Sequence, residues 1–141
     1  MKRIGLSLAA LMIGAGLAGT AMAADVTVTL KGVRPKGGRV LVSLQTAAEF
    51  MKPEGHLGAI APGDVAGDEV VVVHNVPPGE YAVMVLHDAD GDMQMRRSGG
   101  RPAEGWSMSG QWLAGHRPTF DDAKITVPDV GAAVTVPMVY P

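Results

Sequence analysis

Val70-Val71-Val72-Val73-His74-Asn75-Val76 is followed by Pro77-Pro78-Gly79, and then by Glu80-Tyr81-Ala82-Val83-Met84-Val85-Leu86-His87. Two short apolar runs rich in valine flank a proline pair and a glycine. Runs of this length and composition, bounded by breakers, read as strands. Val70 to Val76 is one strand and Tyr81 to His87 the next. Both faces of each run are largely apolar, which predicts the centre of a sheet. Proline followed by glycine at the two central positions suits a type II turn between them.

The same grammar extends in both directions. Val26, Val28 and Leu30 alternate with Thr27, Thr29 and Lys31, the pattern of a half-buried strand. Gly37-Gly38 supplies a turn, after which Val40, Val42 and Leu44 alternate with Leu41, Ser43 and Gln45. Thr46 to Met51 suits one helical turn with Phe50 toward the core. Pro53 to Asp68 reads as a loop rich in glycine and proline. Lys124 to Val127 and Ala133 to Tyr140 form the last two strands, separated by Pro128 and Gly131. Pro137 cannot donate a ladder hydrogen bond, which puts the last strand at an edge or at a bulge. Six to seven short strands with turn signals between them predict an all-β fold, a single antiparallel β-sandwich. One long connection, about residues 88–121, follows the central apolar run. It carries Trp, Met, Leu and Phe, so it is expected to be ordered.

The chain has 141 residues and no cysteine. Lys2-Arg3, the uncharged stretch Ile4 to Ala18, and Ala21-Met22-Ala23 have the order of a cleavable export signal, with cleavage after Ala23. About 15 apolar residues is short for a membrane span, which takes roughly 20. The domain then runs from Ala24 to Pro141 as one unit, an exported protein of the periplasm or the cell exterior. Loss of Lys2 and Arg3 takes the formal charge from −2 to −4. That balance argues against nucleic acid or an anionic membrane surface as partner. No later stretch is long and apolar enough to span a membrane. Without cysteine, disulfides, thiolate metal sites and thiol nucleophiles are excluded.

His87-Asp88-Ala89-Asp90-Gly91-Asp92 closes the central apolar run and opens the long connection. Three carboxylates at alternate positions repel one another unless solvent, arginines or a hard cation offsets the repulsion. Asp88, Asp90 and Asp92 have the spacing of the first half of an EF-hand loop, and calcium takes six to eight such oxygens. The copy then departs from the pattern, because Met93 stands where glycine belongs and Gly99 where a bidentate glutamate belongs. Glu104 is the nearest later glutamate able to close a looser site. The plainer reading pairs these acids with Arg96, Arg97 and Arg101, with no metal at all.

Segments in this order resemble one family. Val76-Pro77-Pro78-Gly79-Glu80-Tyr81-Ala82-Val83 runs into His87-Asp88-Ala89-Asp90-Gly91-Asp92. Then come Gly100-Arg101-Pro102-Ala103-Glu104-Gly105-Trp106-Ser107-Met108-Ser109 and Pro118-Thr119-Phe120-Asp121-Asp122-Ala123. Together they resemble the DUF2141 family of secreted bacterial proteins of unknown function. The Pro-Gly-x-Tyr turn is also similar to that of transthyretin-like and carboxypeptidase-regulatory-like sandwiches, mostly non-catalytic accessory modules. The resemblance implies the sandwich and export, and it implies no reaction. After the His-Asp pair the family runs through Asn, Gly, Lys and Asp, whereas this chain has Met93-Gln94-Met95-Arg96-Arg97.

Other residue sets compete for the same segment. Met84, His87, Met93, Met95, Met108 and His116 are soft donors suited to copper, although methionine is more often a core filler. Trp106 and Trp112 either close the sandwich end or touch a protein, a glycan or a small ligand; His87 and Arg101 are further candidate contacts. Ser107 or Ser109 with His87 or His116 lacks the sequence of a nucleophile elbow. Paired carboxylates for glycoside hydrolysis would need a cleft that a small sandwich rarely offers. His74, on a central strand, is expected to be a hydrogen-bonded core residue. Asp121-Asp122 and Glu49 with Lys52 read as solvated or helix-end charges. The expectation is a non-enzymatic binding or accessory module; for its acidic loop, Asp–Arg pairing is the favoured reading and a calcium site at Asp88, Asp90 and Asp92, with Glu104, the second. A metal-dependent hydrolase using the same carboxylates and a purely structural envelope protein are the alternatives.

Overall fold

A computed structural model describes residues 22–53, 55–112 and 115–141. Except for Met22 and Ala23, the export signal expected over residues 1–23 lies outside the described residues. The elements are β1 (Ala24–Val33), β2 (Arg39–Gln45), β3 (Leu57–Pro62), β4 (Gly67–Val76), β5 (Gly79–Asp88), β6 (Arg97–Ser98), β7 (Arg101–Pro102), β8 (Gly105–Met108), α1 (Phe120–Ala123), β9 (Lys124–Val127) and β10 (Ala132–Pro137).

Two sheets face each other. One has the order β10-β1-β4; the other runs β3-β2-β5, with β8 and β9 both pairing the far side of β5. β9 pairs the first half of β5 and β8 the second. The alternation read from the sequence decides what faces inward. Val26, Val28 and Leu30 of β1, Val40, Val42 and Leu44 of β2, and Tyr81, Val83 and Val85 of β5 are buried in one core. Each such side chain contributes roughly 1.5–3 kcal/mol relative to exposure. β5 is covered on its other face as well, where Ala82 and Met84 meet Met108, Ala123, Phe50, Trp106, Trp112 and Phe120.

The all-β sandwich is therefore present, with several details corrected. β4 is an edge strand rather than a central one. Val70, on its outer face, is 61% exposed. His74 is accordingly exposed, with Nδ1 at 3.1 Å from Asp25 Oδ1, and is no core residue. β4 and β5 lie in different sheets, so Pro77-Pro78 is a crossover. Gly79 has φ 159°, far from the value near +80° that a type II turn requires. Tyr81 Oη donates to the Pro77 carbonyl at 2.8 Å and fixes that corner.

β3 forms inside the stretch expected to be a loop. β10 ends at Pro137 and runs parallel to β1, the one departure from antiparallel pairing among the named strands. Its place at a sheet edge agrees with the proline. Thr46 to Met51 is a series of turns rather than a helical one. The Gln45 side chain holds it through Met51 N and Lys52 O, and Phe50 meets Phe120 edge to face at 5.9 Å. Pro118 to Phe120 leads into a capped single helical turn in which Thr119 and Asp122 exchange hydrogen bonds.

Beyond β10 the chain crosses from one sheet to the other. Met138 N donates to Lys31 O in the first sheet, and Val139 exchanges two hydrogen bonds with Trp106 in the second. This crossing places Tyr140 over the end of the sandwich where β1, β5 and β10 finish and β2 and β4 begin.

Candidate functional site

The end of β5 delivers two adjacent polar residues to opposite faces, as strand alternation requires. His87 points between the sheets and is 1% exposed. Its Nε2 stands 3.0 Å from the Gly37 carbonyl and its Nδ1 2.8 Å from Tyr140 Oη. A carbonyl only accepts, so Nε2 carries a proton, and Nδ1 shares its hydrogen bond with the Tyr140 hydroxyl. Tyr140 Oη in turn accepts from Arg34 N at 3.0 Å. With both nitrogens engaged and the ring buried, His87 is a structural hub. It offers no free donor to copper and no surface to a partner.

Asp88 points the other way and is fully buried. Its Oδ1 accepts from Asp92 N at 3.1 Å and its Oδ2 from Met93 N at 3.1 Å. Asp90 Oδ1 accepts from Asp92 N, and Asp92 Oδ1 from Gln94 N. These bonds fold the acidic stretch back on itself. Met93 takes φ +64°, the left-handed conformation that the sixth position of an EF-hand loop demands. The backbone thus keeps the shape that the residue type had argued against.

The missing glutamate at the twelfth position is replaced through a short hairpin. β6 pairs β7, and Ala103 N donates to Arg96 O at 2.8 Å. This pairing folds out the extra residues and returns Glu104 to the loop. One ligand atom from each of Asp88, Asp90, Asp92 and Glu104 lies within 4.8 Å of the others. Oxygens on opposite sides of one calcium ion, at 2.3–2.6 Å each, are about 5 Å apart, so the spacing fits. Glu104 is 8% exposed. Its Oε2 accepts from Arg96 N at 3.1 Å, whereas its Oε1 is buried with no hydrogen-bond partner.

The arginines balance this charge only in part. Arg96 pairs with Asp90. Arg39 Nε stands 4.0 Å from Asp88 Oδ2. Among the described residues Arg97 and Arg101 reach no carboxylate, and Arg97 bonds the Gly100 carbonyl instead. Burial acts to raise the Asp90 pKa, but the Asp92 backbone N–H and then the Asp88 and Arg96 side chains outweigh it and leave it below the ordinary 3.8.

The remaining candidates are placed as follows. Trp106 and Trp112 pack at 4.7 Å between ring centroids with their planes tilted by 42°, and cover the outer face of β5. Met84 and Met108 belong to that cluster, whereas His87 faces the other way, between the sheets, and Met93 is exposed. Ser107 Oγ donates to Pro137 O, and Ser109 Oγ to Ala123 O while accepting from Val83 N. Both serines are structural. Asp122 caps α1, and Glu49 accepts from Thr46 N. Three residues missed in the sequence matter here: Tyr140, Arg39 and Glu69. Glu69 shares a face with Val71 and Val73, so the period-two pattern already turned it inward.

A family model described as "Uncharacterized protein conserved in bacteria (DUF2141)" matches residues 28–135. No curated protein and no solved structure matches the chain.

Proposed function

The chain belongs to the DUF2141 family, which carries no assigned activity, and from that premise we propose a non-enzymatic, exported binding module whose loop 88–104 is stapled by calcium. One observation carries the reading. Glu104 Oε1 is buried without a partner beside Asp88, Asp90 and Asp92. A buried unpaired carboxylate oxygen costs free energy that a cation at that point would recover. Four clustered carboxylates against two nearby arginines also leave room for a divalent charge. The donor set is all oxygen, and hard oxygen donors suit calcium over copper or zinc. The resemblance to secreted proteins and the leader-like residues 1–23 support export.

The test is thermal melting in calcium against chelator. A ligand bound only to the folded state stabilises it by about 2.7 kcal/mol at 100 times its dissociation constant. For a domain of this size the midpoint should rise by about 10 °C. The rise should vanish in an Asp88→Asn, Glu104→Gln double variant. An unchanged midpoint at millimolar calcium would leave Asp–Arg pairing as the loop's explanation.

A further inference from the structure

Two cavities meet beside the acidic loop. The larger, about 510 Å3, is lined by Pro102, Trp106, Val139 and Pro141, with Ser98 and Arg101 from the β6–β7 hairpin on its wall. The smaller, about 200 Å3, contains Arg34, Lys36 and Glu104. Ala103, Tyr140 and Pro141 line both. The floor is therefore apolar and aromatic, and three cations stand around it. Among the described residues, none of Arg34, Lys36 and Arg101 pairs with a carboxylate. Arg34 is held in place by stacking, its guanidinium carbon 5.0 Å from the centre of the Tyr140 ring.

We infer that this groove binds a small organic anion, an apolar ring or chain bearing one carboxylate, and that calcium in the acidic loop tightens the binding. The charge complementarity selects the anion. The apolar floor selects an organic body over inorganic phosphate or sulfate, and the volume falls within the range of small-molecule sites. The coupling rests on the calcium reading above and has a physical route. Ser98, Arg101 and Pro102 belong to the hairpin that lies between Asp92 and Glu104 in the chain. A cation joining those two ends would fix the hairpin and pre-order the groove wall, removing an ordering cost from the anion's binding.

Calorimetric titration with 2-naphthoate, and with neutral 2-naphthamide as its isostere, tests the inference. The expected result is saturable naphthoate binding with a dissociation constant of about 1 mM or tighter, and naphthamide weaker by about tenfold or more, since a charge-assisted pair is lost. Arg101→Gln, and separately Lys36→Gln on a different element, should weaken naphthoate and leave naphthamide unchanged. Equal affinity for the two probes, no saturable naphthoate binding, or indifference to both substitutions would overturn the groove assignment.

Each titration is run in calcium and in chelator. Linkage requires calcium to tighten naphthoate by the same factor that naphthoate tightens calcium, expected to be about fivefold or more. Calcium that binds without changing naphthoate affinity would overturn the coupling. A direct calcium titration showing no binding would overturn the calcium reading, while the chelator arm would still decide the groove on its own.

Discussion

Glu69 points into the core on the same face as Val71 and Val73, and its Oε2 is buried with no hydrogen-bond partner. Burial raises its pKa above the ordinary 4.5; the nearby His87 charge acts against that and Asp64 adds to it. A carboxyl raised in the folded state favours folding when protonated. Its contribution is fully present below the unfolded-state value and is lost as the pH rises through the folded one. At neutral pH Glu69 therefore weakens the fold. Glu69→Gln should raise stability at pH 7 by about 1 kcal/mol or more, and the gain should shrink toward zero near pH 4. Urea unfolding at the two pH values checks this, and an equal gain at both would show that ionisation is not the cause. Single residues were unevenly legible. Asp88, Asp90, Asp92 and Glu104 were marked by spacing and type, and the structure brings them together. His74 was misplaced because the outer face of an edge strand carries valines too. Met93 was read as breaking a loop pattern whose backbone it in fact adopts, since a left-handed φ is open at some cost to a residue other than glycine.

The elements that build the site end are short, and close backbone approach holds them together. β8 begins at Gly105, opposite His87 on β5. A Cβ added at Gly105 would stand 2.3 Å from Tyr140 Cε1. No side chain fits unless the tyrosine leaves His87. Gly105→Ala should destabilise the domain by about 1–3 kcal/mol. It should also shift the His87 ring resonances, read by chemical denaturation together with NMR. Normal stability with an unmoved His87 would mean that the crossing segment 138–140 yields freely. At this scale the strongly alternating strands were legible to within a few residues: β1, β2, β5 and β9. β3 was not, because Gly58, Ala59 and Ala61 carry little β signal and an edge strand needs little. The parallel run of β10 was also hidden. Alternation gives a strand's faces but not the direction of its neighbour.

Across the whole molecule, the sheets are sewn together by pairings distant in sequence. Val26 of β1 lies opposite Ala132 of β10 and Val73 of β4. Closing such loops costs entropy before the contacts compensate, so folding should be slow for the chain's size. Refolding followed by the fluorescence of Trp106 and Trp112 should take milliseconds to seconds, and a microsecond phase that recovers the full signal would contradict this. The fold class was legible because the strands that build the core, β1 and β2 above all, alternate with the period of two. How its loops meet was not, since the groove depends on a crossing made by only three residues, Met138 to Tyr140.

The ten-residue length of β1 fixes a direction as well as a sheet. Ala24 lies opposite Val76, at the end of the sandwich where β4 hands over to β5. Val33 leads into Arg34 and Lys36 at the other end, beside the acidic loop. A strand of that length reaches about 30 Å. The cations, carboxylates and aromatic floor therefore sit at the tip of the sandwich opposite the one where Ala24 opens β1.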